Sequence, residues 1–311
     1  MQLIGIALGG GVALLWGIAD SIATLSTRRL TTFTTTIISH FSGLLTLIFT
    51  LAILFWHYPS HTFAISASDL LIGAGTGVLT VIGYLALYRS LELGPIAITS
   101  PLSSTSAVFT LLLSTLFLQE HITLFDGFAI GAIIIGVFLA SVNIRNIHLL
   151  LKKKPEALLA GKGVRWACIT PIAFGLVDIS IGASSPLHGW FTPVFLTFVF
   201  SSFTLTILLL VRYPFSKEGR TLFMSVNTLF HKPAGILFAI GAGILECLAI
   251  VTFGIAAQTI KPGMIAAISS NYSLISVLFG VLVLGERLMA NQKLGIGIVM
   301  CGLTVLTVIH I

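Results

Sequence analysis

The chain has 311 residues, 56% of them hydrophobic and only 8% charged, against roughly 25% charged in ordinary soluble domains. A mean hydropathy of +1.08, with apolar runs from end to end, excludes a soluble globule and puts the chain in the membrane class. The net charge of +6 is carried in short breaks between apolar runs, not on a polar face, which argues against a nucleic-acid partner and leaves the lipid bilayer as the working solvent.

A hydrocarbon core about 30 Å thick takes about 20 helical residues to cross. Apolar stretches of that length, bounded by charge, proline or polar turns, run over 3–24, 33–56, 69–89, 95–118, 123–143, 165–186, 190–211, 234–257, 262–284 and 290–310. The first has no basic leader, is long for a signal-peptide core and carries Trp16 and Asp20, so it is expected to stay in the mature protein. Continuous runs exclude barrel strands, which alternate over about ten residues. The expected fold is all-α, an integral membrane protein of ten transmembrane helices. Odd-numbered connections hold every Lys and Arg except Lys261. Basic flanks are retained on the cytoplasmic side, so both termini are predicted on the outer side.

The chain is also written twice. Trp16-Gly17-Ile18-Ala19-Asp20 returns 158 residues later as Phe174-Gly175-Leu176-Val177-Asp178. Ile72-Gly73-Ala74-Gly75 returns 168 later as Ile240-Gly241-Ala242-Gly243. Ser103, Ser104, Glu120, Gly131 and Gly136 return 166 later as Ser269, Ser270, Glu286, Gly297 and Gly302. The predicted organisation is a first repeat over 1–143, a basic cytoplasmic linker over 144–164 with Lys152, Lys153 and Lys154, and a second repeat over 165–311. Five spans is an odd number, so the second copy enters upside down, and the basic connections swap position between copies as a 5+5 inverted-topology repeat requires. Two such halves can exchange conformations around a midplane site, which is alternating access.

With the Leu14-Leu15-Trp16-Gly17 opening, the Tyr84 to Ser90 stretch before a Gly-Pro turn, and the endings Leu118-Gln119-Glu120 and Leu284-Gly285-Glu286 ahead of glycine-rich last spans, the chain resembles the EamA-type ten-span members of the drug/metabolite transporter superfamily. The first copy departs from the second in having Gln119 where the second has Gly285. The resemblance implies a central cavity lined largely by spans three, four, eight and nine, and movement of small metabolites, amino acids among them, without ATP.

Three of the ten acids fall inside apolar runs: Asp20, Asp178 and Glu246. An acid in a span costs about 2.5–3.5 kcal/mol on insertion scales and faces the bundle interior or water. Each is read either as a coupling or binding group, able to load and release a proton, or as a packing group bonded to a neighbouring Ser, Thr or Trp. Glu246 stands apart because the 168 offset pairs it with the apolar Val78. Trp16, Tyr84, Tyr88, Asn271 and Tyr272 are candidates for a cavity wall that stacks a planar or apolar part of a substrate, or else core residues. The Thr99 to Ser106 and Ser269 to Ser273 clusters fit helix packing better than solute binding. Glu120 and Glu286 read as caps, and His40 as a packing residue that could titrate near neutral pH. His57 and His61 flank Pro59, which argues against a helical metal pair. Cys168, Cys247 and Cys301 lack metal or disulfide spacing.

No cofactor, metal or obligate protein partner is expected, and no GxxxxGK[ST] phosphate loop occurs. The sequence therefore predicts a secondary active transporter, exporter or exchanger, of small polar metabolites in a bacterial cytoplasmic membrane, with protons as a candidate coupling ion. A passive facilitator or a multidrug exporter of the same fold is the alternative. An intramembrane enzyme lacks its HExxH, GxGD or Ser-His constellation.

Overall fold

The computed structural model describes residues 2–57, 65–120, 123–142, 162–215 and 231–310. His61, the side chain of His57 and the Lys152 to Lys154 run of the predicted linker lie outside them. Among the described residues all regular elements are helical, and ten helices are long and apolar enough to cross a bilayer. Lipid offers no partner for backbone N–H and C=O groups, so these segments satisfy them internally as helices.

Spans one to three are α1 (Gln2–Thr27), α2 (Thr32–His57) and α3 (Ala67–Leu93). Span four is broken into α4 (Ile96–Ser103) and α5 (Ser106–Leu118), and span five is α6 (Leu124–Ser141). Span six comprises α7 (Lys162–Ala167) and α8 (Thr170–His188), span seven is α9 (Phe191–Phe215) and span eight α10 (Pro233–Ala256). Span nine is broken again, into α11 (Pro262–Ser269) and α12 (Tyr272–Leu278), and finishes in a π turn at Phe279–Val283. Span ten is α13 (Ala290–His310).

The ends follow from local chemistry. Ser66 and Asp69 form a capping box on α3, with the Ser66 N–H donating to Asp69 at 2.8 Å and the Asp69 N–H to Ser66 Oγ at 3.2 Å. Thr123 and Asp126 repeat it on α6, which gives both acids a structural task. Pro101 removes one N–H from α4. At the breaks, hydroxyls take over carbonyls that regular helix bonding leaves: Ser104 donates to Pro101 O at 2.9 Å and Ser270 to Ala267 O at 2.6 Å.

The two halves are related by a pseudo-twofold axis that is visible residue by residue. Span one packs on span eight as span six packs on span three, and span three on span seven as span eight on span two. A Cβ on Gly17 would stand 2.7 Å from Ile275 and 2.9 Å from the Tyr272 carbonyl. A Cβ on its counterpart Gly175 would stand 2.5 Å from Phe109 and 3.3 Å from the Ser106 carbonyl. Phe109 and Ser106 are the residues 166 positions before Ile275 and Tyr272, so the same close approach occurs twice. Spans five and ten pair with each other across the axis: Gly136 lies against Gly295 and Val299, and Gly302 against their counterparts Ala129 and Ile133.

This symmetry corrects one register. Along span three Val78 and Ile82 are exposed while Gly77, Thr80, Val81, Gly83 and Tyr84 are buried. Along span eight Ile244 and Leu248 are exposed while Gly243, Glu246, Cys247, Ala249 and Ile250 are buried. The two patterns coincide at an offset of 166, not 168. Gly77 abuts Phe200 and Gly243 abuts Ser42, partners that are themselves 158 apart. The counterpart of Glu246 is therefore Thr80, and Val78 faces outward. The Ile-Gly-Ala-Gly match at 168 is a chance slip of two residues in glycine-rich sequence.

Candidate functional site

A hollow with about 610 Å³ of space not filled by atoms, its mouth included, lies between the halves. Its wall comes from spans one, three, four, six, eight and nine. Twelve of its lining residues form six symmetry pairs: Trp16 with Phe174, Asp20 with Asp178, Thr80 with Glu246, Tyr84 with Ile250, Leu87 with Phe253, and Ser106 with Tyr272. The pseudo-twofold axis thus runs through the hollow. Spans one and six contribute more of the wall than the resemblance implies, because Gly17 and Gly175 let them close on spans nine and four and turn their acids inward.

The three acids come together here, and their side chains are all but withdrawn from solvent, at 4% exposure for Asp20, 8% for Asp178 and 4% for Glu246. Ser100 Oγ donates to Asp20 at 3.3 Å, and the Thr110 hydroxyl is in hydrogen-bonding reach of Asp178. Tyr88 donates its hydroxyl to Glu246 and lies 3.3 Å from Ser39 Oγ. Tyr88 accordingly stands behind Glu246 and is absent from the hollow's wall. Thr80 lines the hollow, and its buried Oγ1 has no hydrogen-bond partner among the described residues.

Aromatic rings close the rest. Trp16 meets Phe253 and Tyr272 at centroid distances of 6.1 and 5.9 Å. Tyr84 meets Phe174 edge-on at 4.9 Å and His40 at 4.8 Å. His40 sits one layer outward, in a smaller hollow shared with Thr80, Tyr84 and Glu246.

Asn271 is placed elsewhere. Its amide donates to Thr307 Oγ1 at 2.9 Å and to the Ile268 carbonyl at 3.2 Å, and its Oδ1 accepts from Thr304 at 3.3 Å. It ties the break in span nine to span ten, and the bulk that suggested a binding role is used in packing. Most hydroxyls of the two polar clusters likewise bond carbonyls of their own helix. Sequence reasoning overlooked Thr80, Ile250, Phe253 and, as a wall residue, Phe174. Carrying the 166 offset of spans four and five back through span three would have found Thr80 beside Glu246.

At the end of the bundle where spans three and four join, Glu286 accepts from the N–H groups of Ile96 (3.1 Å) and Ala97 (3.0 Å) and pairs with Arg28 at 2.8 Å. Arg28 also donates to the Gly94 carbonyl at 3.0 Å. One ion pair thus bridges the halves and caps α4. Glu120, the counterpart of Glu286, lies against Gly263 at the start of α11.

The model of the EamA-like transporter family matches residues 3–142 and again 161–308. An uncharacterized protein of Methanocaldococcus jannaschii is 46% identical over 68 residues, which cover 22% of this chain and 50% of the relative. The match thus spans half the length of that curated relative. A crystal structure 16% identical in sequence has the same fold, with a TM-score of 0.66 over 100% of this chain and 99% of the other.

Proposed function

The chain belongs to the EamA-like transporter family and is a multi-pass membrane transporter of the drug/metabolite type; from that premise we propose that it is a secondary active transporter, exporter or exchanger, of small metabolites that works by alternating access. The observation that carries this reading is the hollow whose wall is built from residue pairs related by the pseudo-twofold axis. When inverted halves swap conformations, pairs of that kind exchange environments, and a cargo held between them changes sides without leaving the site.

Glu246 is the proposed coupling group. Asp20 and Asp178 are duplicated across the axis, whereas Glu246 has Thr80 as its counterpart and so breaks the symmetry at one carboxyl. A carboxyl that exchanges a proton for cargo would couple flux to the proton gradient, with Tyr88 holding it in place. Trp16, Tyr84 and Tyr272 would stack the cargo's apolar part. The proposed location is a bacterial cytoplasmic membrane with both termini outside, supported by the cation bias. The proposed domains are 1–143 and 165–311, joined by the basic linker 144–164.

Two-sided accessibility tests the mechanism. Thr80→Cys, in a chain whose Cys168, Cys247 and Cys301 are replaced by serine, should react with an impermeant thiol reagent from either face of sealed vesicles, at rates that shift in opposite directions when the pH gradient is reversed. Reaction from one face under all conditions refutes alternating access. Downhill flux with no response to a proton gradient would instead favour a passive facilitator.

A further inference from the structure

Three carboxyls share the hollow, and no Lys, Arg or His is among its described lining residues. Arg28, two helical turns beyond Asp20, is engaged by Glu286 and the Gly94 carbonyl. Lys261, the lone cation of the even connections, is exposed at the start of α11. His40 belongs to the neighbouring smaller hollow. A zwitterion or an anion placed among the acids would set its own carboxylate against theirs, in a region of low dielectric where like charges repel strongly.

The opposite holds for a cation. Asp20 and Asp178 come from opposite halves, Glu246 from a third helix, and the rings of Trp16, Tyr84 and Tyr272 line the same hollow. An ammonium among carboxyls and aromatic rings gains charge pairing and cation–π attraction together, and both strengthen when water is excluded. Thr80, the symmetry counterpart of Glu246, lines the same hollow, and its buried Oγ1 has no partner among the described residues, a polar contact that the protein itself leaves unmade.

We propose that the hollow selects organic cations, an amine or quaternary ammonium group carried on a flat or apolar body, over amino acids and organic acids of the same size. This rests on the transporter reading above and narrows its cargo. Charge balance then gives exchange a simple form: protons occupy the acids when the cation is absent and depart when it arrives.

The test uses three probes with one phenylethyl body: trimethyl(2-phenylethyl)ammonium, L-phenylalanine and 3-phenylpropionate. Binding to the purified full-length protein is measured by calorimetry. The ammonium is expected to bind at least about tenfold more tightly than either other probe, and Asp178→Asn and Glu246→Gln, checked for folding by gel filtration, to weaken it at least about tenfold. Equal or tighter binding of L-phenylalanine or 3-phenylpropionate overturns the proposal, as does no detectable binding of the ammonium. The comparison of probes on the unmodified chain needs no variant. The accessibility of Thr80→Cys from both faces is independent of all three probes, so a wrong cargo class and a wrong mechanism give different results.

Discussion

Glu246, the proposed coupling group, can lose its exchangeable proton through a conservative change that leaves its contact with Tyr88 in place. Glu246→Gln keeps size and hydrogen bonding to Tyr88 but cannot exchange a proton, so proton-driven uptake in liposomes is expected to fall at least about tenfold while expression and melting temperature stay near those of the parent. Undiminished proton-driven uptake would remove Glu246 from the coupling role. Gln119 illustrates a different residue-scale effect. It ends α5 in the left-handed region at φ 55°, where the second copy has Gly285 at φ 65°. A side chain there costs about 1–2 kcal/mol, partly offset by the chain entropy that glycine loses. Gln119→Gly is therefore expected to stabilise the protein by about 0.5–1 kcal/mol, read as a higher melting temperature in detergent. The buried acids were legible in the sequence because their burial is costly and so conspicuous. Asn271 was misleading because an amide beside a helix break suits binding and packing equally well, and its contacts with Thr304 and Thr307 of span ten separate the two.

The seam between α6 and α13 depends on which glycines touch. A Cβ on Gly136 would stand 2.8 Å from the Gly295 carbonyl and the Val299 nitrogen, and one on Gly302 would stand 2.6 Å from Ile133. Gly131 and Gly297, the other pair matched in sequence, have nothing within 4 Å. Gly136→Ala should thus force the two helices apart at a cost of about 1–3 kcal/mol, whereas Gly131→Ala should be neutral or stabilise by up to about 1 kcal/mol through helix propensity. Thermal melts of the two variants check this, and equal melting temperatures would remove the seam from the account of stability. All ten spans could be located from hydropathy, since lipid forces long apolar helices. The breaks at Ser104–Thr105 and Ser270–Asn271 could not be so located, because hydropathy is blind to where carbonyls pass from backbone to side-chain donors. The register of spans three and eight was obscured by repeated small residues and became clear only from which faces are buried.

At the scale of the whole molecule the duplication is faithful inside and unequal at the ends. The charge bias and collinear matches revealed the inverted repeat, yet the wall of the hollow was only partly legible, since which helices line it depends on how closely Gly17 and Gly175 allow their neighbours to approach. The Arg28–Glu286 pair joins the halves at one end, whereas the residue 158 positions after Arg28 is Pro186, and the other end is joined by a different contact, His188 Nδ1 of span six against Asp69 of span three at 2.6 Å. Arg28→Ala is expected to raise the reaction rate of Thr80→Cys several-fold from that end and lower it from the other, measured with the same impermeant reagent. An unchanged ratio would make the pair a local cap only. Unlike struts at the two ends, a guanidinium–carboxylate pair at one and an imidazole–carboxylate pair at the other, leave the empty protein resting off balance, with the more weakly held mouth open more of the time. Cargo arriving at that mouth meets a vacancy already prepared, while cargo at the more firmly held mouth waits for a rarer conformer and experiences an affinity weakened by that conformer's share of the population.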